Sequence, residues 1–135
     1  MNEEVLPTIP VPHDCIVEEI TFDKGYLVFK FGEDISDYDS IKYLNPNAKS
    51  LVIRIHCDES EPTFAVYENK WRKKFGRKGY YLINNKKLPD LCKNTVEYLY
   101  HYVGFQSILI RLYRDSAYML FDVDADYVEF EWIEK

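Results

Sequence analysis

The sequence predicts an α+β domain, mostly antiparallel β-sheet of about seven or eight strands forming a curved sheet or open barrel, with one amphipathic helix near residues 89–103. Three observations predict it. Short apolar-polar alternations of period two recur along the chain, as half-buried strands require. Turn residues such as Asp23-Lys24-Gly25 and Asp115-Ser116 punctuate them. A single stretch, Leu88 to Val103, instead repeats its apolar residues at helical spacing. With 135 residues, 47% of them hydrophobic, the chain suits one domain (1–135) with its own core and is too apolar for disorder.

Residues 1–14 form an expected extended arm, because Pro7, Pro10 and Pro12 fix φ and remove amide donors. Ile16 to Phe22 and Tyr26 to Phe31 read as a hairpin around Asp23-Lys24-Gly25. Gly32 to Asn47 is polar and aperiodic, with a short apolar patch at Ile41 to Leu44, and reads as a loop. Leu51, Ile53, Ile55 and Cys57 alternate with Val52, Arg54 and His56 as one strand, and Phe64 to Glu68 and Tyr80 to Ile83 read as two more.

The helix is expected from Leu88, Leu91, Cys92, Thr95, Val96, Leu99, Tyr102 and Val103 on one stripe, with Pro89 and Asp90 in its first turn and Gly104 after its last. Phe105 to Arg114, Ala117 to Val123 and Tyr127 to Glu134 then read as a three-stranded meander turning at Asp115-Ser116 and Asp124-Ala125. In the last strand Val128, Phe130 and Trp132 share the face expected to be buried.

Charge is distributed unevenly. The formal net charge is −6, yet residues 70–93 hold nine basic side chains against one acidic, while the flanking segments are strongly acidic. Lys70, Arg72, Lys73, Lys74, Arg77 and Lys78 crowd into nine positions with Trp71 and Phe75 among them and Tyr80 just beyond. Arg, Trp and Tyr together are what interface centres are enriched in, so Lys70, Trp71, Arg72, Lys73, Lys74, Phe75, Arg77, Lys78 and Tyr80 are the candidate binding residues. Trp71, Arg72 and Arg77 are the expected anchors. The complementary partner is another protein with an acidic surface.

The same segment bears comparison with a single-strand nucleic-acid binder, since cations neutralise phosphates and aromatic faces stack on bases. Lys78-Gly79-Tyr80 matches the start of an RNA-binding strand motif, but Tyr81 and Asn84 break it, and net acidity argues against a nucleic-acid surface. Asp122-Val123-Asp124-Ala125-Asp126 has the opening carboxylates of a calcium loop, but Tyr127 replaces its glycine and Ile133 its bidentate glutamate. His13, Cys15, His56 and Cys57 are zinc-ligand types at atypical spacing, and His56 and Cys57 fall on opposite faces of one strand. No metal and no cofactor is therefore expected. Neither a nucleophile elbow nor a glycine-rich phosphate cradle is present, so no catalytic residue is assigned.

Three widely spaced cysteines do not make a disulfide framework, which fits a reducing cytoplasm. No apolar run of about 18 residues occurs, and Glu3 and Glu4 stand where a secretory signal is basic, so a cytoplasmic protein without a membrane segment is expected. As a class, a small, acidic, tyrosine-rich α+β domain without a catalytic signature resembles the bacterial immunity and accessory proteins, which work by binding another protein. That resemblance implies a non-enzymatic protein-binding domain. The alternative from another class is a small-molecule-binding or enzymatic domain with an aromatic-lined cavity.

Overall fold

The computed structural model describes residues 9–57, 64–72 and 76–135. Nine strands form one antiparallel sheet that does not close: β1 (Ile16–Asp23), β2 (Tyr26–Phe31), β3 (Ala48–His56), β4 (Phe64–Arg72), β5 (Arg77–Ile83), β6 (Val96–Gly104), β7 (Ser107–Arg114), β8 (Ala117–Asp124) and β9 (Tyr127–Glu134). Their spatial order is β5-β4-β8-β7-β6-β1-β2-β3-β9. The expected fold class stands, with helix confined to short pieces.

Alternation builds the core. Leu27, Phe29 and Phe31 of β2, Leu51, Ile53 and Ile55 of β3, and Met119, Phe121 and Val123 of β8 are all buried, and their intervening neighbours point away. The turns between β1 and β2 and between β7 and β8 place both central residues at positive φ, Lys24 and Gly25 in one and Asp115 and Ser116 in the other. That conformation matches the twist of a two-residue hairpin.

The sheet folds over at its weakest seam. β1 and β6 share only the pairs Ile16 with Glu97 and Val17 with Val96. On either side of that seam the two flanks turn their apolar faces inward. Phe29 of β2 reaches Phe121 of β8 at 5.3 Å between ring centroids, although three strands separate them in sheet order. Phe22 of β1 meets Phe64 of β4 at 5.2 Å. Packing of one sheet against itself thus supplies the second layer that a single apolar face needs.

The helix expected near 89–103 is corrected. In this stretch helical geometry is limited to a 3-10 segment, Asn85–Lys93, capped by the Asn84 side chain accepting from the Lys86 N–H at 2.9 Å. Its inward residues, Leu88 and Leu91, are two of the predicted stripe. Residues Val96–Gly104 are instead β6, a strand paired along its length with β7. Val, Tyr and Leu there favour strands, and β7 supplies a partner for their backbone. A bulge between Tyr98 and Tyr100 shifts the inward parity from Val96 and Tyr98 to His101.

The meander is corrected as well. β7 and β8 pair as expected, but β9 crosses to β3, with Val128 opposite Ile55, Phe130 opposite Ile53 and Trp132 opposite Leu51. Those three residues do share a face, yet only Val128 is fully buried, because β9 ends the sheet. Between Gly32 and Asn47 the chain forms a 3-10 turn, Ile35–Asp37, and one α-helical turn, α1 (Asp39–Lys42), that sink Ile35 and Ile41 into the core. Of the arm, residues 9–14 are described, and they lie on β6: the Asp14 N–H donates to the Tyr98 carbonyl at 2.7 Å.

Candidate functional site

The basic segment forms the tip of the β4–β5 hairpin. β4 and β5 pair residue by residue from Val66 opposite Ile83 to Trp71 opposite Lys78 and Arg72 opposite Arg77. Pairing of this kind gathers Lys70, Arg72, Arg77 and Lys78 onto two adjacent strands at one end of the sheet edge. Gly76 closes the turn at φ 64, a conformation that favours glycine, and a Cβ there would meet nothing within 4 Å. Lys73, Lys74 and Phe75 lie outside the described residues. Tyr80 sits opposite Asn69 and is exposed, as is Leu82 opposite Tyr67.

Lys70 does not stand free at this surface. Its ammonium lies 3.2 Å from a carboxylate oxygen of Glu68, whose other oxygen accepts from the Arg114 guanidinium at 2.9 Å. Arg114 also donates to the Leu91 carbonyl at 3.2 Å, tying β7 to the 3-10 segment. Glu68 is buried on the inward face of β4, in phase with Phe64 and Val66. Burial by itself would raise its carboxyl, but the hydrogen bonds and charges of Arg114 and Lys70 prevail and hold it below the usual carboxylate range. A cleft of about 200 Å³ opens beside this clamp, lined by Glu68, Lys70, Ile83, Lys87, Asp90, Leu91 and Arg114. Sequence reasoning missed Glu68 and Arg114. A charged residue at the third inward position of an otherwise apolar strand was the one readable sign of the first; nothing local marks the second.

Beyond β4, the outer face of the sheet is rich in rings. Tyr100 and Tyr102 of β6 lie 5.2 Å apart, and the Arg111 guanidinium stands 5.2 Å from the Tyr118 ring. The strand geometry of β6 thus sorts its tyrosines cleanly: Tyr98 enters the core, where its hydroxyl hydrogen-bonds His101 Nδ1 at 2.6 Å, and Tyr100 and Tyr102 face out. Burial holds His101 below its ordinary range, so the ring is neutral at pH 7.

Other chemistry-bearing residues are dispersed. His13 Nδ1 meets the Leu99 carbonyl at 2.6 Å, whereas His56 Nδ1 lies 3.1 Å from Asp126 with Tyr127 stacked on its ring. Tyr26 and Tyr127 join their hydroxyls beside it. Among the described residues no three His, Cys, Asp or Glu side chains are grouped to hold a metal. Asp122 and Asp124 alternate with buried Phe121 and Val123 along β8, so they share the outer face of a strand instead of converging on an ion. Burial pushes the Cys15 and Cys92 thiols up to about 11, which keeps them protonated and poorly nucleophilic. Among the described residues no helix is long and apolar enough to cross a membrane. No protein-family model, no characterised protein and no solved structure matches the chain.

Proposed function

We propose that the chain is a non-enzymatic binding protein, of the bacterial immunity or accessory type, that engages another protein with an acidic surface through the β4–β5 hairpin. One observation carries the reading. The β4–β5 pairing sets the basic residues of a net-acidic chain side by side on two adjacent strands, with Lys78 in phase with exposed Tyr80 and Leu82 along β5 and Lys70, Arg72 and Arg77 in the opposite phase. Cations in register with one another repel, so their accumulation at one end of a hairpin costs stability and is offset when an acidic surface covers them. The flanking acidic segments repel wrong partners of the same sign. Thiols outside any disulfide at Cys15 and Cys92 fit a reducing cytoplasm.

The small-molecule alternative has less support. The cleft of about 200 Å³ is below the roughly 300–1,000 Å³ of ordinary ligand pockets, and its Glu68 is already engaged by Arg114 and Lys70. A shallower groove of about 510 Å³ runs along Phe64, Ala65 and Leu82 to Asn85 but is open to solvent.

The test is capture from nuclease-treated lysate of the native organism by the immobilised protein and by an R72E/R77E variant. One dominant protein retained by the first and lost from the second, at equal thermal stability, supports the reading. Equal retention by both removes the hairpin as the site, and retention only without nuclease replaces the protein partner with a nucleic acid, whose affinity falls steeply with salt.

A further inference from the structure

We infer that the β5 edge is built to receive β9 of a second copy of this chain, so that two molecules join edge to edge into one antiparallel sheet. The inference rests on the hairpin being a contact surface and names the segment that fits its edge. β5 and β9 are the two ends of the sheet order, and among the described residues no strand covers the outer side of either. An uncovered strand presents unpaired N–H and C=O groups to any chain that can lie beside it.

The two edges are opposite in charge. β5 begins with Arg77 and Lys78, next to Lys70 and Arg72 on β4, whereas β9 carries Glu129, Glu131 and Glu134 and no basic residue. Like edges therefore repel, β5 against β5 and β9 against β9, while β5 against β9 attracts. The charge pattern selects the unlike pairing from the three available.

Strand direction and side-chain phase then fix how the edges meet. Every neighbouring pair in the nine-stranded sheet is antiparallel, so β5 and β9 run the same way within one molecule. Antiparallel joining therefore turns the second copy over, and outward residues of β5 share a side with inward residues of β9. A register with Lys78 opposite Glu134 sets Tyr80 opposite Trp132 and Leu82 opposite Phe130. These are residues that the lone molecule leaves partly or largely uncovered: Leu82 is 67% exposed, Tyr80 44% and Phe130 37%. The pairing covers them with one another, as cross-strand aromatic and aliphatic pairs do.

The experiment is sedimentation of the pure protein across a concentration series, alone and as two variants, K78E on one edge and E134K on the other, each first shown to keep the wild-type melting temperature. The expected result is concentration-dependent association of the wild type that weakens about fivefold or more in either variant, because each reversal opposes like charges where Lys78 meets Glu134. Mixing the two variants is expected to restore association, since one keeps a native β9 and the other a native β5. A wild type that stays monomeric at millimolar concentration overturns the inference, as does association that survives E134K. Because that variant leaves the hairpin untouched, its failure is separable from that of the proposed function. A monomer whose R72E/R77E form still loses its captured protein refutes only the edge pairing.

Discussion

Around Phe29 the two flanks of the sheet meet through rings, with Phe121 at 5.3 Å and Tyr98 at 6.2 Å, both nearly edge-on. At the root of the β4–β5 hairpin the same inward face instead carries Glu68, held by Arg114 and Lys70. The first region is stabilised by area removed from water, a force that carries no titrating group. The second depends on charges that must stay ionised and paired, because a half-buried carboxylate without its cation is costly. The difference teaches where the molecule is committed to its shape and where its stability answers to solution conditions. The conditional region is also the base of the proposed contact surface.

Four measurements sharpen or break that contrast. Truncating Phe29 to Ala is expected to cost the most, about 3–5 kcal/mol in chemical denaturation, since it leaves a cavity between two sheet flanks that cannot easily collapse. A cost below that of an exposed alanine substitution would mean the flanks are not packed there. Arg114→Ala follows at about 3 kcal/mol, because Glu68 is left buried without its main partner. The double variant E68Q/R114M is expected to recover most of that loss, and failure to recover would show that Arg114 acts through packing alone.

Tyr98→Phe is expected to cost about 1–3 kcal/mol, as it strips a buried histidine nitrogen of its hydrogen bond. Its effect should appear in the melting temperature at pH 7, where His101 is neutral. The smallest change is expected from R72E/R77E, within about 0.5 kcal/mol, since it replaces one directly paired like-charge couple by another.

Acid should act in two windows, and the sign is the same in both. His101 is held below its unfolded value, so the unfolded chain binds the proton first and stability falls as pH drops below about 6.5. Glu68 is likewise held below its unfolded value, so its contribution is complete above about 4.3 and is lost as pH falls through the folded value. Melting temperatures measured down the pH scale should show the lower window shrink in E68Q while the upper persists. A lower window unchanged in E68Q would remove the clamp from the account of acid sensitivity.

Much of this fold was legible because strand alternation is local. Leu51, Ile53 and Ile55 announce a half-buried strand without reference to anything else, and Asp115-Ser116 announces its turn. The basic hairpin was legible as a segment for the same reason, since the cations lie within nine positions of each other. β6 was not, because its bulge at Tyr98 and Tyr100 breaks the period-two pattern that would have exposed it, and Val96, Leu99 and Val103 fall by coincidence at helical spacing. Arg114 was not legible either, because what makes it important is Glu68, 46 residues earlier in the chain.

By itself the sequence determined the antiparallel class, the hairpins and the one concentration of positive charge, all set by neighbours a few residues apart whose preferences need no distant partner. Only the tertiary structure decided that Val96–Gly104 would pair as a strand, that β9 would leave β8 for β3, and that one sheet would fold over on itself at the two-pair seam between β1 and β6. Those outcomes depend on which apolar faces find each other across the whole chain, and burying them outweighs the local preference of any single segment.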